Sequence, residues 1–355
     1  MSRFWSPIVE NLAPYTPGEQ PKDRVFIKLN TNENPYGPSP MALEAIRNGA
    51  EDDLRLYPDP SATDLRSAIA SSFGVTADHI FVGNGSDEVL AHAFHGFFSG
   101  KAQVLFADVT YSFYKTFCEL YALQKQLVPL NEAFELEPSD YRGTCGGIVI
   151  ANPNAPTGVA IPLSGLEHIL QQNPDTLVLV DEAYVDFGAT SAVRLVPKYE
   201  NLLVVQTFSK SRSLAGLRVG FAVGQPQLIQ ALRRIKDSFN SYPLGRLSLK
   251  GALAAWQDRD WFDETRLRVM ADRDRLAERL KTLGFRVLPS SANFLFVSHE
   301  RVSAAKLLAD LRSEGILVRH FDQPRIENFL RISVGTCNDC DRLLAVTVDL
   351  VGQAG

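Results

Sequence analysis

The sequence predicts an α/β fold: a mostly parallel central sheet flanked by helices, with a smaller α+β domain beside it. Between about residues 45 and 240, short apolar runs alternate with helical stretches, which is the pattern of parallel strands joined by helices. Several runs are apolar at consecutive positions, as expected of strands that helices cover on both faces. At 355 residues, the chain is also long enough for two domains.

Composition and net charge exclude several classes of protein. Hydrophobic residues make up 45% of the chain and charged residues 22%, which is typical of a globular protein with a sizeable core. The 36 Lys and Arg residues against 41 Asp and Glu residues give a net charge of −5, which disfavours nucleic-acid binding. No apolar run approaches the roughly 18 residues of a membrane span. We therefore expect a cytoplasmic protein that binds neither membrane nor nucleic acid and holds no metal.

The first elements are an arm and a helix. Residues 1–44 are rich in Pro, Asn and Gly, and we expect them to form an extended arm that joins the small domain. A helix signal then begins near Ser61, which is placed to cap it. Leu65, Ile69 and Phe73 recur at the spacing of one helical face.

The two domains follow from the order of the remaining elements. The large domain, residues 45–240, contains strand-like runs at 79–82, 103–107, 147–151, 176–180, 202–208 and 218–223. The small domain, residues 241–355, begins with a charged helical stretch at 261–283. Its short strands are predicted at 286–288, 293–297, 316–319 and 329–334.

Polar and aromatic side chains follow most of the strands of the large domain. They lie in the segments 83–88, 108–111, 152–158, 181–184 and 209–211. In an open α/β sheet, ligands bind beyond the carboxyl ends of the strands. The sequence therefore predicts one site where these segments meet.

Each segment is ambiguous alone. The 83–86 turn (Gly-Asn-Gly-Ser) offers backbone N–H groups to an anion, although a plain strand–turn–helix junction has the same sequence character. Asp181 and Glu182 have no neighbouring His that would complete a metal site. Lys210 follows a buried-looking strand, a setting in which a lysine can attack a carbonyl and form a Schiff base. Pyridoxal phosphate needs all these parts together: a lysine, a carboxylate at its ring nitrogen, a phosphate cup and an aromatic face.

Several motifs carry a resemblance to a known family. Residues 152–158 (Asn-Pro-Asn-Ala-Pro-Thr-Gly), 181–184 (Asp-Glu-Ala-Tyr) and 209–220, which begins Ser-Lys and contains Ala-Gly-Leu-Arg, resemble the fold-type-I pyridoxal-phosphate-dependent aminotransferases. Within the class II subfamily, residues 29–38, 55–59 and 330–336 are similar to the histidinol-phosphate aminotransferases. The resemblance spans nearly the whole chain and implies that fold, with pyridoxal 5'-phosphate as cofactor.

The resemblance implies a role for each residue around the cofactor ring. Lys210 would hold the cofactor as a Schiff base and move the substrate proton, and Asp181 would pair with the ring nitrogen. Tyr184 and Asn154 would hydrogen-bond the phenolic oxygen, and Tyr111 would stack on the ring. Many relatives have a second Asn directly before the Pro-Thr-Gly segment, which this chain lacks. We therefore assign that contact to Asn154, with Asn152 as the alternative.

The resemblance also implies how the cofactor phosphate is held. Backbone N–H groups of Gly85 and Ser86 would bind it, together with Ser209 and Arg218. Tyr57 would reach the phosphate of the neighbouring subunit, which makes the active unit a homodimer.

The substrate residues that we expect are Arg331, Arg319, Tyr15 and Asn32. A surface salt bridge is the commonest role of an arginine, but Arg331 ends an apolar run within a family motif. A guanidinium binds a carboxylate or a phosphate through two parallel hydrogen bonds, so one anchor can serve two substrates. Arg319 would add a second phosphate contact, and Tyr15 and Asn32 would form part of the substrate wall.

The implied activity is a ping-pong amino transfer. L-glutamate and 2-oxoglutarate would form one substrate pair, and L-histidinol phosphate and imidazole-acetol phosphate the other, in a step of L-histidine biosynthesis. An aromatic-amino-acid aminotransferase of the same subfamily is the nearest alternative, because imidazole and phenyl rings make similar demands on a pocket. A threonine-phosphate decarboxylase is a further one. A cofactor-binding transcriptional regulator is disfavoured by the net charge of −5.

Overall fold

The computed structural model describes residues 2–14, 16, 18–21 and 24–352. Its α-helices are α1 Pro7–Asn11, α2 Pro40–Arg47, α3 Thr63–Phe73, α4 Gly85–Ala93, α5 Phe113–Leu120, α6 Leu163–Gln172, α7 Pro226–Phe239, α8 Arg246–Gln257, α9 Arg259–Thr282, α10 Ala304–Ser313 and α11 Cys337–Gly352. Its strands are β1 Ile27–Lys28, β2 Ile80–Asn84, β3 Val104–Ala107, β4 Lys125–Val128, β5 Gly147–Ala151, β6 Val178–Asp181, β7 Leu202–Thr207, β8 Val219–Gly224, β9 Phe285–Val287, β10 Phe294–His299, β11 Ile316–Leu317, β12 Arg319–His320 and β13 Leu330–Ser333.

The large sheet confirms the predicted mostly parallel α/β architecture. In the described part of the chain it has seven strands, in the order β2-β8-β7-β6-β5-β3-β4. Only β8 runs antiparallel to its neighbours, β2 and β7. The central strands are buried along their length because helices cover both faces. Helices α3, α6 and α8 pack on one face and α4, α5 and α7 on the other.

Two local features differ from the sequence prediction. Helix α3 begins at Thr63 and is not capped by the side chain of Ser61. Instead, the Asp59 carboxylate accepts the backbone N–H groups of Ser61 at 2.8 Å and of Thr63 at 2.7 Å. Strand β4 was not predicted, because it is an edge strand whose first three residues are exposed.

The small sheet is antiparallel, in the order β12-β13-β10-β9. Its core is shared with α9, α10 and α11, which bury Leu276, Leu307 and Leu343. Strand β1 of the arm pairs in parallel with β11, so the arm is attached to this part of the molecule. None of the described helices is both long and apolar enough to cross a membrane.

Helix α8 belongs to the core of the large sheet. Its residues Ala252 and Trp256 are buried in the same cluster as Leu65 of α3. The predicted domain boundary at residue 240 therefore does not coincide with the end of the large-sheet core. Residues up to the end of α8 pack in that core, and α9, the next helix, packs in the core of the small sheet. The sequence prediction placed the boundary at the end of the strand pattern, whereas α8 is tied to the large domain by contacts with α2 and α3.

Strand register brings the predicted site segments together. Strands β5, β6 and β7 are neighbours, and Ala151 pairs with Asp181, which pairs with Val205. The segments that follow these three strands therefore begin at the same edge of the sheet.

Candidate active site

A cavity of about 280 Å³ lies at this edge of the sheet. The predicted site residues that line it are Asn32, Ser86, Tyr111, Asp181, Tyr184, Ser209, Lys210, Arg218, Arg319 and Arg331. The arm adds Asn30, Thr31 and Glu33 to its wall. The large sheet, the small sheet and the arm thus all contribute side chains to one site.

Lys210 lies in the loop after β7, and its side chain is half-buried in this cavity. Its Nζ donates a hydrogen bond of 3.2 Å to the Thr31 carbonyl oxygen and lies 5.7 Å from the centroid of the Tyr184 ring. Asn34 donates to the Lys210 carbonyl oxygen at 3.0 Å. The arm therefore holds both the backbone and the amine of Lys210. A primary amine placed in this way can attack a carbonyl carbon.

Asp181 ends β6 and is buried in the wall of the cavity. It accepts a hydrogen bond of 2.7 Å from the Tyr114 hydroxyl and one of 3.2 Å from the Ala183 backbone N–H. Burial raises the pKa of Asp181 to about 6, although both hydrogen bonds act to lower it. A cation beside a buried carboxyl favours its ionised form. This position therefore suits a ligand that carries a protonated nitrogen.

The start of α4 forms an anion-binding end of the cavity. Gly85 has φ +79°, and a Cβ there would lie 2.5 Å from Nη2 of Arg218. A Cβ on Gly220 would lie 2.3 Å from the Ser86 backbone nitrogen. Glycine at both positions lets the chain approach closely enough for the helix N–H groups, Ser209 and Arg218 to surround one anion.

Two tyrosines form aromatic walls. The Tyr111 hydroxyl donates to the Asp87 carboxylate at 3.0 Å. The Tyr184 hydroxyl accepts a hydrogen bond of 3.0 Å from Nδ2 of Asn32. Ser333 in turn donates to Oδ1 of Asn32 at 2.8 Å. Asn32 thus orients the Tyr184 hydroxyl, a role that the sequence analysis did not assign to it.

The structure does not bring the Asn154 side chain into this cavity. Its Oδ1 accepts from the Thr110 hydroxyl at 2.7 Å, and its Nδ2 donates to the Val109 carbonyl at 2.9 Å and the Thr157 hydroxyl at 3.0 Å. Ala155 lines the cavity instead. The phenolic-oxygen contact predicted for Asn154 therefore has no support from the structure, because these hydrogen bonds hold its amide elsewhere.

Arg319 and Arg331 line the cavity from the small sheet. They are directly opposite each other on β12 and β13, so their side chains lie on one face. Arg331 donates to the Asn30 carbonyl at 2.9 Å, and Arg319 donates to the Thr16 carbonyl at 3.2 Å. The predicted wall residue Tyr15 lies outside the described residues.

Tyr57 does not line the cavity of its own chain, and its side chain is 79% exposed. Its ring stacks on Tyr242 with centroids 4.6 Å apart. This position leaves Tyr57 available to a neighbouring subunit, as the resemblance implies.

Comparison with known proteins identifies the family. The sequence model of a protein family, described as aminotransferase class I and II, matches residues 24–346 of this chain. The chain belongs to this aminotransferase family.

Relatives of this aminotransferase span nearly its full length. It is 59% identical to histidinol-phosphate aminotransferase 1 of Bradyrhizobium diazoefficiens, over 99% of this chain and 100% of the relative. It is 57% identical to the histidinol-phosphate aminotransferase of Pseudomonas putida, over 95% of this chain and 97% of the relative. The crystal structure of histidinol-phosphate aminotransferase from Sinorhizobium meliloti in complex with pyridoxal-5'-phosphate has the same fold. That likeness has a TM-score of 0.88 and 24% identity, over 100% of this chain and 99% of that chain.

The cavity of this aminotransferase fits pyridoxal phosphate. At the start of α4, Ser86, Ser209 and Arg218 line the cavity together and can donate to a phosphate. The buried carboxyl of Asp181 suits a protonated ring nitrogen, and the Lys210 amine suits an aldehyde. These groups are the ones that the cofactor requires, and all line one cavity.

Tyr114 is the site residue that the sequence analysis missed. It is fully buried between the rings of Tyr111 and Phe94, and burial next to Asp181 raises the pKa of its hydroxyl well above the usual value. It therefore stays protonated and donates to the Asp181 carboxylate. Its position three residues after Tyr111, on the helix that follows a site segment, places it near the site, but nothing in the sequence pairs it with Asp181.

We expect the Tyr114→Phe variant to fold and to lose roughly tenfold in kcat, because a hydrogen bond to a charged group contributes about 1.5–3 kcal/mol. Without the hydroxyl, the pKa of Asp181 rises further, so pyridoxal phosphate should also dissociate faster. Steady-state kinetics and cofactor release after dilution measure both effects. Tyr199→Phe removes a hydroxyl that bonds Glu167 at the surface and is the matched control. Unchanged kcat and cofactor release in Tyr114→Phe would contradict the positioning role.

Burial also raises the pKa of the neighbouring Glu182, to about 7. A carboxyl whose pKa is higher in the folded than in the unfolded chain stabilises the fold at low pH, and that stability is lost as the pH rises through the folded-state value. His92, whose pKa burial lowers to about 4, has the opposite effect below about pH 6.5. His92 and Asp181 still contribute to the pH dependence just above pH 6.5, so the contribution of Glu182 is isolated by comparison with a variant that lacks its carboxyl.

We expect the cofactor-free protein to lose about 1 kcal/mol of unfolding free energy between pH 6.5 and pH 8 through Glu182. This corresponds to a Tm roughly 1–2 °C lower at the higher pH. Glu182→Gln removes the titrating carboxyl, so the Tm of this variant should change less between pH 6.5 and pH 8. Parallel pH profiles of the two proteins would show that Glu182 titrates normally.

Proposed function

We propose that this aminotransferase is a histidinol-phosphate aminotransferase. It transfers the amino group between L-glutamate or 2-oxoglutarate and imidazole-acetol phosphate or L-histidinol phosphate, a step of L-histidine biosynthesis. Two findings support the proposal: relatives with that name at 57–59% identity over nearly the whole chain, and two arginines side by side in the cavity.

The chemistry divides between the cofactor and the chain. When bound, pyridoxal phosphate supplies an aldehyde that takes up the amino group and a protonated ring that accepts an electron pair from the substrate carbon. Asp181 keeps the ring nitrogen protonated, because a carboxylate in a buried wall stabilises an adjacent cation. Lys210 is the residue that holds the cofactor covalently. Its free amine would be the base that takes up and returns the proton of the substrate carbon.

The remaining residues orient these groups. Tyr184 is fixed by Asn32, has its ring centroid 5.7 Å from the Lys210 amine, and would donate a hydrogen bond to the phenolic oxygen of the cofactor. Tyr111 provides the stacking face. Ser86, Ser209 and Arg218 hold the phosphate at the start of α4. The arm residues Thr31 and Asn34 hold Lys210 through hydrogen bonds.

Arg331 and Arg319 anchor the substrates. Two guanidinium groups on adjacent strands can share the anion of either substrate, the phosphate of L-histidinol phosphate or a carboxylate of glutamate. This arrangement explains how one site accepts both members of a ping-pong reaction.

The test is a half-reaction followed by absorbance. The purified protein loaded with pyridoxal phosphate is titrated with L-histidinol phosphate and, separately, with L-phenylalanine. Charge-assisted hydrogen bonds to the phosphate should let histidinol phosphate convert the cofactor at roughly 100-fold lower concentration. Equal or better conversion by phenylalanine would identify an aromatic aminotransferase. Release of CO₂ from threonine phosphate without an oxo acid would identify a decarboxylase.

We expect Arg331→Gln to raise the KM for L-histidinol phosphate roughly 100-fold, because losing a charged partner of a phosphate costs about 2–5 kcal/mol. The KM for L-glutamate should rise as well, since the same guanidinium binds its carboxylate. Arg342→Gln, which removes a surface partner of Glu314, is the matched control. A normal KM for both substrates in Arg331→Gln would remove this residue from the substrate site.

The proposed active unit is a homodimer. Tyr57 and Tyr242 form an exposed aromatic pair, and Leu54, Leu56 and Phe239 near them in the sequence are at least half exposed. Exposed apolar residues in such number are typical of a protein–protein interface. Light scattering should give a mass of twice 39.2 kDa, and a monomer with full activity would contradict the contribution of Tyr57 to a partner site.

A further inference from the structure

A second cavity, which we call the arginine cavity, lies beside the active site. It has a volume of about 640 Å³ and is lined among others by Phe73, Arg212, Trp256, Arg259, Phe262 and Arg266. The described active-site residues Lys210, Asp181 and Arg331 are not part of its lining. The activity proposed above gives it no role.

The charge of the lining favours an anion. Three guanidinium groups face one lining carboxylate, that of Asp186, which accepts a hydrogen bond from Ser211. Arg266 also pairs at 2.8 Å with Asp263, which lies outside the lining. Arg259 has no carboxylate within ion-pair distance in the described part of the chain. The nearby Glu182 carboxyl is directed to Ser191, Gln206 and the Ala192 N–H, and burial keeps it partly protonated near neutral pH.

Arg212 is the strongest indication of a ligand. Its side chain is buried, and its guanidinium carbon lies 4.2 Å from the Trp256 ring centroid and 4.1 Å from that of Phe262. Among the described residues, its one hydrogen-bond acceptor is the Ala255 carbonyl, at 2.8 Å. A guanidinium has five N–H donors, and no nitrogen of Arg212 is both buried and unpartnered, so the donors that do not bond Ala255 are open to the cavity and available to a ligand. Burial lowers the pKa of Arg212 to about 10.

We propose that the arginine cavity binds a small anion that carries a planar aromatic ring, either a carboxylate or a phosphate ester. The anionic group would pair with Arg212, Arg259 and Arg266. The ring would pack on Phe73 and Phe221, which line the apolar side of the cavity. The volume is within the range of small-molecule sites.

The arginine cavity is physically connected to the active site. Thr207 lines both cavities, and its hydroxyl donates to Ser209 at 3.0 Å. Ser211, the residue after Lys210, hydrogen-bonds Asp186 of the arginine cavity. A ligand that moves Asp186 would therefore act on the segment that holds Lys210.

The test is isothermal titration of the pyridoxal-phosphate-loaded protein with phenyl phosphate, with saturating 2-oxoglutarate present to occupy the active site. We expect one phenyl phosphate to bind per chain. The double variant Arg259→Gln/Arg266→Gln should weaken this binding at least about tenfold, because it removes two of the three cations. Arg279→Gln, an exposed arginine at the far end of α9, is the matched control and should change the affinity less than twofold.

Inorganic phosphate tests the role of the ring and should bind at least about tenfold more weakly than phenyl phosphate, since it buries no apolar surface. Equal affinity for the two anions would overturn the proposal, as would unchanged binding in the double variant. The readout is heat of binding rather than turnover, so failure of the arginine cavity is distinguishable from failure of the proposed activity.

Discussion

We expect Lys210→Ala to lose transamination almost completely, with kcat lower by roughly 10⁴-fold or more. The amine is both the covalent attachment of the cofactor and the base that moves the substrate proton, and no other amine lines the described part of the cavity. The fold should survive, because the side chain is only half-buried and, among the described residues, its amine hydrogen-bonds only Thr31. Turnover, the visible absorbance of the bound cofactor and the far-ultraviolet circular dichroism measure these effects.

One further variant distinguishes the positive charge of Lys210 from its nucleophilic amine, and a second is a control. Lys210→Arg keeps a cation in the cavity but is not a nucleophile near neutral pH, so it should be as inactive as Lys210→Ala. Lys281→Ala removes an exposed lysine that pairs with Glu278 and should retain full activity. Wild-type kinetics in Lys210→Ala would show that the lysine is not the attachment point.

The second large effect is expected at Asp181. In Asp181→Asn, the side chain keeps its shape and can still accept the Tyr114 hydroxyl, but it no longer carries a charge for the ring nitrogen. Removing one preorganised electrostatic group of this kind costs about 10²–10³-fold in kcat, and we expect a loss of that size. Single-turnover kinetics with L-glutamate should show that the proton-transfer step, not substrate binding, is slowed.

Glu182→Gln is the matched control for Asp181→Asn. It changes the adjacent carboxyl, which is equally buried but hydrogen-bonds Ser191 and Gln206 outside the active-site cavity. Its kcat should stay within severalfold of the wild-type value. Similar losses in both variants would indicate that the loss reflects disturbed packing of this region and not the charge of Asp181.

Much of the fold was predictable because its signals are local. The strand predicted at 147–151 is observed as Gly147–Ala151, and the run at 202–208 contains β7. A strand with apolar residues at consecutive positions is buried on both faces, which requires a layer of helices on each side of its sheet. This pattern indicated a parallel sheet. The same reasoning placed Asp181 and Lys210 at one edge, because the carboxyl ends of parallel strands meet there.

Contacts between distant segments were not predictable. Helix α8 is continuous with the small domain in sequence but packs on α2 and α3, as the burial of Trp256 against Phe73 shows. The hydrogen bond between Tyr114 and Asp181 joins residues 67 positions apart. No local pattern specifies such a pair, since it depends on how α5 is placed against β6.

The sequence by itself determined the α/β architecture, the glycine-rich turn before α4 and the presence of a lysine and a carboxylate at neighbouring strand ends. These features depend on residue type, spacing and chain order. Tertiary structure alone decided that Ala155 rather than Asn154 faces the cavity and that Arg319 and Arg331 stand side by side. The reason is physical: the direction of a side chain is set by the hydrogen bonds and packing around it, which the folded chain supplies from residues far away in the sequence.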